Sequence, residues 1–317
     1  MTQSFKPIDL KKIKTYSLSD RKSKVNLSDF GKEWRAGGSF KTFLANIPNI
    51  LAGSDIREVI NSIVIAFKKK KTILIGMGAH VIKVGLNPLI IDLIKRGIIS
   101  GVAMNGAGII HDLEIAMSGK TSEDVADALS DGTFGMSYET GAFLNAAINR
   151  AGKESLGLGE AIGITILENK LSFSEKSILA ACASVSIPAT VHVAIGTDII
   201  HMHPSFNPEY AGKASHRDFR MFASIVSSLE EGVYLNIGSA VILPEVFLKA
   251  ITLVRNLGYN PQNFTTINMD FIRHYRPMTN VVNRPTLKGG KGFNLVGHHE
   301  IMLPIIAAGI IEGLEEN

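Results

Sequence analysis

The chain has 317 residues, of which 45% are hydrophobic and 20% are charged, as expected for a globular protein with a large core. Its formal charge of +4 comes from local lysine clusters without interleaved aromatic residues, which argues against a nucleic-acid-binding surface. One cysteine excludes an internal disulfide and a cysteine-ligated metal cluster, and the lack of a signal sequence or of an apolar run near ~18 residues predicts a cytoplasmic protein.

The first part of the chain differs in composition from the rest. Residues 1–35 are polar, basic and without apolar periodicity, which predicts an N-terminal basic arm. Residues 36–317 alternate apolar runs with helical segments and contain no clear linker, which predicts a single α/β domain. In oligomers, such arms often wrap a neighbouring subunit.

Apolar runs that stop at small or polar residues predict the buried strands of a parallel sheet. These runs cover residues 72–75, 101–104, 187–195, 232–238 and 264–270. Segments with helical periodicity cover residues 40–67, 84–96, 112–150, 174–185, 219–231 and 244–258. The alternation predicts one doubly wound, mainly parallel sheet with helices on both faces, in which ligands bind beyond the carboxyl ends of the strands.

Glycine-containing turns follow three of the predicted strands. They are Gly76-Met-Gly78, Gly106-Ala-Gly108 and Gly238-Ser-Ala. Glycine lets a backbone approach a ligand closely and leaves N–H groups bare for a phosphate. No turn has the GxGxxG spacing, but three such turns at strand ends predict a nucleotide-binding site.

Polar side chains also follow the predicted strands, and we expect them to converge at one edge of the sheet. They are His80, Asn105, His111, Asp112, Thr197, Asp198, His201, His203, Ser239 and Asp270. Asp198 is suited to hold a ribose or a substrate amine, or it caps a turn. The spacing of His201 and His203 allows a metal site with Asp198 or with His298 and His299, but also proton transfer or simple loop packing.

The segment 271–294 is rich in Arg, Asn, Pro and Gly and has no apolar periodicity, so we predict a long irregular loop. Its glycine-rich part contains Lys288 and Lys291. This part is either a flexible solvated loop or a loop that delivers an amine into the site. The amine would act as an imine-forming nucleophile or as a cation against an anionic substrate.

The order of these motifs resembles the deoxyhypusine synthase family over residues 53–314. The matching segments are Gly76–Gly85, Met104–Asp112, Ile187–Asp198, Gly238–Val241 and Leu295–Ile306. The resemblance implies a doubly wound NAD-binding fold and a homotetramer with active sites at subunit interfaces. It also implies that NAD takes hydride from a polyamine such as spermidine, that an imine forms, and that an alkyl amine passes to a lysine or another amine.

The resemblance also assigns roles to residues. Contacts to NAD are expected from Gly76, Gly78, Ala79, His80, Asn105, Gly106, Ala107, Gly108, Thr197, Asp198, Gly238 and Ser239. Binding of a cationic amine is expected from Asp112, His201, Glu245, His299 and Glu300, and catalysis from Lys291, Lys288, His298 and His111. No metal ligand is predicted.

Two departures from the family pattern keep other functions open. The family's Lys-His-His segment is Leu243-Pro-Glu245 here, and its Trp-Gly-Lys is Gly289-Gly-Lys291. A protein lysine as acceptor is therefore an open point. The alternatives are a hydrolase or lyase that uses the histidine-rich cleft, with or without a metal, and a non-catalytic nucleotide-binding protein.

Overall fold

In the computed structural model, which describes residues 4–315, six strands form one sheet. The strands are β1 (Ile73–Met77), β2 (Gly101–Asn105), β3 (Ala189–His192), β4 (Val233–Ile237), β5 (Thr265–Asp270) and β6 (Lys291–Val296). Their spatial order is β3-β2-β1-β4-β5-β6, and every neighbouring pair is parallel. This order places a topological switch point between β1 and β4, where α/β proteins of this type bind ligands.

Helices cover both faces of the sheet. They are α1 (Phe40–Asn46), α2 (Ala52–Lys68), α3 (His80–Lys83), α4 (Asn87–Lys95), α5 (Gly106–Ser118), α6 (Val125–Asp131), α7 (Tyr138–Glu154), α8 (Leu158–Glu168), α9 (Ile178–Ser184), α10 (Pro208–Ser227), α11 (Ile242–Asn256), α12 (Tyr275–Pro277) and α13 (His299–Glu315). A π-helix, Met278–Asn283, continues α12. Short 3-10 helices lie at Leu18–Asp20, Leu27–Asp29, Ser174–Lys176 and Ile199–Met202. The predicted fold class is confirmed.

The two faces of the sheet are packed differently. One face is apolar and packs against a large core that includes side chains of α2, α4, α5, α8, α9 and α13. The other face carries Tyr234, whose ring stacks on Phe247 of α11 at a centroid distance of 4.0 Å, in a core shared with α10. Since both faces are covered, the inner strands are continuous apolar runs, which is why the sequence pattern identifies them.

The prediction of an irregular loop over 271–294 is wrong. This segment contains α12, the π-helix and β6. Strand β6 lies at the edge of the sheet, and Leu295 is its one fully buried residue. A strand with one neighbour and partial cover does not need an apolar run, so its sequence carries little signal. Helix α8 also has no counterpart among the predicted elements.

The N-terminal segment is open to solvent. All described residues from 4 to 28 are exposed. The chain joins the body where Lys32 N–H donates to Asn46 O at 2.9 Å and Asn49 N–H donates to Asp29 O at 2.9 Å. The boundary near residue 35 stays a prediction. None of the helices formed by residues 4–315 has both the length and the apolar character needed to cross a bilayer.

Candidate functional site

The turns after β1 and β4 meet at the switch point without side chains between them. Gly78 N–H donates to Ile237 O at 2.9 Å, and a Cβ atom on Gly78 would overlap the carbonyl of Gly238. Gly238 has a φ of +63°, in the left-handed region that favours glycine. Both positions therefore require glycine, because the two turns pack backbone against backbone at the strand ends.

Amide side chains behind this point hold the turn after β4. Asn236 Nδ2 donates to Ser239 O at 2.9 Å and to Asn268 Oδ1 at 2.8 Å. Asn268 Nδ2 in turn donates to Asn294 Oδ1 at 2.8 Å. This row of asparagines links β4, β5 and β6 just below their carboxyl ends. Sequence reasoning missed it, although three asparagines in apolar strands were its visible signal.

Three rings gather above the switch point. The centroid of the His80 ring lies 5.3 Å from that of His299 and 5.6 Å from that of Phe271. His80 begins α3, His299 begins α13, and Phe271 directly follows β5. His80 is exposed, whereas His299 is fully buried beneath it. Phe271 was not among the predicted site residues because the predicted strand ends one residue earlier.

The protonation of His299 follows from its contacts. Its Nε2 lies 3.1 Å from Met269 O, and since a carbonyl only accepts, Nε2 carries the hydrogen. Nδ1 is then an acceptor, and it is buried without a hydrogen-bond partner among residues 4–315. Burial lowers the pKa of His299, and this effect is larger than the opposing effect of the Met269 carbonyl and Asp270. The ring is therefore a neutral imidazole with a free lone pair.

Asp198 forms the other half of the edge, beside the start of α5. Its carboxylate packs so closely on Gly106 that a Cβ atom there would overlap it, and it faces the backbone N–H of Ala107. Asp198 Oδ2 is buried, and no described residue hydrogen-bonds it. Burial raises the pKa of the Asp198 carboxyl above its usual range. Asn105 Oδ1 caps α5 by accepting from Gly108 N–H at 3.1 Å.

This arrangement fits a dinucleotide. A bound NAD would lie across the strand ends near Gly78 and Gly238, and the unpartnered Oδ2 of Asp198 would accept a ribose hydroxyl. Strand order 3-2-1-4-5-6 is the order of dinucleotide-binding folds. The match is incomplete in one respect, because Val81 occupies the third glycine position of the GxGxxG pattern.

Several residues predicted to contact NAD support the fold instead. Gly76 lies inside β1, where a Cβ atom would overlap the hydroxyl of Tyr234. Gly108 packs on the side chain of Met104. Ser239 Oγ accepts from Leu243 N–H at 3.2 Å in the first turn of α11, and Thr197 Oγ1 donates to Ala194 O at 2.7 Å. Local packing therefore accounts for the two glycines, and local hydrogen bonds account for the two hydroxyl side chains.

The structure places Asp112, which is predicted to bind substrate, inside the core of the protein. It is fully buried in α5 and accepts from the Ser177 hydroxyl at 2.6 Å, Ile178 N–H at 2.8 Å and Leu179 N–H at 3.1 Å, with Asn87 Nδ2 at 3.2 Å. Burial raises the pKa of Asp112 to about 6 despite these bonds. Its role is to hold the first turn of α9, because those N–H groups have no partner within that helix.

The two lysines predicted to form the imine lie at the wrong end of the sheet. Lys291 is the first residue of β6 and pairs with Thr265, the first residue of β5. Its ammonium group is 3.4 Å from Glu58 and is largely exposed. The carboxyl end of this strand, at Val296, is about 17 Å away, since a strand rises about 3.3 Å per residue. Lys288 precedes Lys291, so neither lysine joins the cluster.

Glu245 and His111 are also engaged elsewhere. Glu245 Oε2 pairs with Lys249 at 2.7 Å, and its Oε1 accepts from Asn280 Nδ2 at 2.8 Å, which ties α11 to the π-helix. His111 lies in the second turn of α5, 2.6 Å from the Thr121 hydroxyl. Burial lowers the pKa of His111 to about 4, so it is neutral. Both side chains therefore already have partners within the chain.

The remaining predicted residues lie at the rim or outside the cluster. His298 precedes α13 with a largely exposed side chain, 3.7 Å from Glu300, beside the carboxyl end of β6. His201 Nδ1 accepts from Gly196 N–H at 3.2 Å, and its ring lies 4.9 Å from that of Phe206. Within residues 4–315, no three His, Cys, Asp or Glu side chains are placed to hold a metal ion.

Comparisons with known proteins show similarity in fold only. No protein-family model matches the chain, and no curated protein is significantly similar in sequence. AgrE, solved in a ternary complex with ornithine and NAD⁺, is 13% identical over 83% of this chain and 34% of its own, with a TM-score of 0.52. The chain thus spans about a third of the length of AgrE.

Two other solved structures are similar at this level. A protein of Methanococcus maripaludis assigned to the LOR/SDH group is 15% identical over 83% of this chain and 70% of its own, with a TM-score of 0.50. A protein of Entamoeba histolytica assigned as a deoxyhypusine synthase is 12% identical over 89% of this chain and 96% of its own, with a TM-score of 0.49. The TM-scores of 0.52 and 0.50 show a shared α/β fold, and identities this low show nothing about activity.

Proposed function

We propose that this protein is an NAD-dependent enzyme that removes hydride from an amine or amino acid. The observation that carries the proposal is Asp198, whose buried Oδ2 lacks a partner within the described chain beside the turns of a dinucleotide-binding sheet. A buried acceptor without a donor is costly unless a ligand supplies one. The solved complex of AgrE with ornithine and NAD⁺ supports this choice of cofactor and substrate class.

Asp198 also bears on which dinucleotide binds. A carboxylate accepts a hydrogen bond from the 2′-hydroxyl of NAD but repels the 2′-phosphate of NADP. We therefore expect a preference for NAD. When bound, NAD supplies a hydride acceptor, and the residues of this chain bind and orient the substrate and take up its proton.

The more specific form of the proposal is a deoxyhypusine synthase-like transferase acting on a polyamine, assembled as a homotetramer. Within one chain, neither Lys288 nor Lys291 can be the imine-forming residue of such a transferase. Lys288 precedes β6 and Lys291 begins it, so both lie at the amino edge of the sheet. In that form, a lysine would have to reach the carboxyl edge of another copy. Direct oxidation of the amine, without transfer to a lysine, requires no such assembly.

Isothermal titration with NAD and NADP tests the proposal on the wild type, Asp198→Asn and Asp92→Asn. Asp92 is the control, because it lies in α4 and pairs with Arg96 at 2.8 Å. We expect Asp198→Asn to weaken NAD binding about tenfold or more, because one hydrogen bond to a charged group is lost, and we expect the control to bind like the wild type.

NADH absorbance with ornithine and spermidine then tests turnover. If neither nucleotide binds the wild type, the proposal is wrong, and binding without turnover favours the non-catalytic alternative.

A further inference from the structure

The structure leaves one question about the ring cluster, namely why a histidine is buried with an open acceptor. His299 Nε2 donates to Met269 O, while Nδ1 has no partner among residues 4–315. A leucine or phenylalanine would fill the same space without this cost. The nearest ring is that of His80, which is exposed at the start of α3.

We infer that His80 is the general base of the reaction and that His299 is its positioning residue, holding His80 through a hydrogen bond to the free Nδ1. This inference rests on the proposed function. The chain of bonds runs from His80 N–H to His299 Nδ1, and from His299 Nε2–H to Met269 O. An N–H···N bond of about 2.9 Å leaves two imidazole centres about 5 Å apart, close to the separation of these rings.

The ring separation of 5.3 Å requires only a small adjustment to form that bond. The rings are tilted by 59°, and no hydrogen bond joins them in the present conformation. Rotation of the exposed His80 ring about its terminal side-chain bond is cheap, because that torsion is broad. His299 is held in place, since its ring is fully buried and its Nε2–H donates to Met269 O at 3.1 Å.

The chemistry that the pair would perform is proton removal from the substrate. An amine is an ammonium ion at neutral pH, and it must lose an N–H proton before its carbon can lose hydride. The free nitrogen of His80 takes this proton. The C–H electron pair then leaves as hydride to the oxidised nicotinamide named in the proposed function, and the nitrogen lone pair forms the C=N bond. His299 Nδ1 stabilises the resulting His80 cation by accepting its other N–H.

The surroundings favour this division of roles. The charged or titratable groups that act on His299 are His80, Asp270 and Glu300, and His274 lies 3.8 Å from Asp270. Burial lowers the pKa of His299, so the buried ring stays neutral and accepts. His80 is exposed and able to meet a substrate above Gly78 and Gly238. The two lysines predicted to form the imine lie at the opposite edge of the sheet.

Imidazole ¹⁵N spectra of the free protein test the pair without any cofactor. We expect His299 to show a protonated Nε2 and an unprotonated Nδ1. His80 should populate one tautomer in the wild type and in His299→Gln, which keeps an acceptor, and a mixture in His299→Leu. His216→Leu is the control, because His216 is exposed on α10 and away from this edge. Unchanged His80 signals in His299→Leu would overturn the inference.

Kinetics with NAD and the best amine separate positioning from packing. We expect His80→Leu to reduce kcat about 100-fold or more, as for loss of a general base. His299→Leu should reduce kcat about tenfold, and His299→Gln should stay within about threefold of the wild type. The acid limb of the pH–rate profile should move about one unit lower in His299→Leu, because the cation of His80 loses its acceptor.

The two failures are distinguishable. An acid limb that does not move in His299→Leu, in an enzyme that still reduces NAD, overturns the pair and leaves the proposed function standing. Absence of NAD binding overturns the proposed function, and with it the catalytic role of the pair, whatever the ¹⁵N spectra show.

Discussion

Buried aspartates occur in two regions of this molecule, and their partners differ. The first region lies in the helices α5 and α10. Asp112 of α5 accepts four hydrogen bonds. Asp218 of α10 accepts from Val191 N–H at 2.8 Å and from Gly159 N–H at 3.0 Å. At the carboxyl edge, Asp198 keeps an oxygen without a donor in the described chain. A buried carboxylate that accepts N–H groups of neighbouring elements supports the fold, whereas Asp198, with an unpartnered oxygen at a strand end, is where the proposed ligand would bind.

The histidines show the same contrast. His192 is buried on β3, its Nε2 lies 3.1 Å from the Thr190 hydroxyl, and its ring packs on Phe222. Burial lowers the pKa of His192 to about 3, so it is a neutral core residue. His299 is equally buried, but one of its ring nitrogens has no partner among residues 4–315. Residue type and burial alone therefore do not distinguish His299 from His192, whereas their hydrogen-bond partners do.

The largest expected effect comes from removing a satisfied aspartate. Asp112→Ala leaves the Ile178 and Leu179 N–H groups and the Ser177 hydroxyl buried without an acceptor, so we expect it to lower the free energy of unfolding by roughly 4 kcal/mol. Asp198→Ala removes a carboxylate with a free oxygen and should change stability by no more than about 1 kcal/mol. Urea unfolding measures both. Equal losses in the free energy of unfolding of the two variants would show that Asp112 and Asp198 do not differ in their contribution to the fold.

Much of the fold is readable from the sequence because burial on both faces makes β1 to β5 continuous apolar runs. The switch-point glycines and Asp198 were also identified, since they directly follow those runs. Asp112 was misjudged because its partner Ser177 lies 65 residues away, and no local pattern shows that distant contact. Lys291 was misjudged because a loop was predicted where β6 begins, and the start and the end of a strand face opposite edges of the sheet.

An intermediate effect is expected in the pH dependence of stability. Burial raises the pKa of Asp218 to about 7, against a model-compound value of 3.8. Between these values the folded state binds more protons than the unfolded state, so this group makes the free energy of unfolding fall as pH rises. We expect the wild type to lose about 2 kcal/mol more between pH 5 and pH 7 than Asp218→Asn loses, since one pKa unit corresponds to about 1.4 kcal/mol.

Urea titrations at several pH values measure this difference. Asp92→Asn is the matched control, because Asp92 is exposed and pairs with Arg96 on the surface of α4. Its pH dependence should match that of the wild type. Parallel curves for Asp218→Asn and the wild type would mean that Asp218 is ionised at the same pH in the folded and unfolded states, which its burial argues against.

The smallest expected effect concerns the amino edge, where the structure places Lys291, a residue that the sequence predicted in a loop reaching the site. The ion pair between Lys291 and Glu58 is exposed, so Lys291→Ala should change the free energy of unfolding by about 0.5 kcal/mol or less. NAD affinity and amine turnover should equal those of the wild type, because the lysine begins β6 and the proposed chemistry takes place at the other end of the strands. Borohydride trapping should likewise give the same result with and without this side chain. If Lys291→Ala instead abolished turnover while NAD still bound, the lysine would have to act at the carboxyl edge of a second copy, and the active site would be shared between subunits.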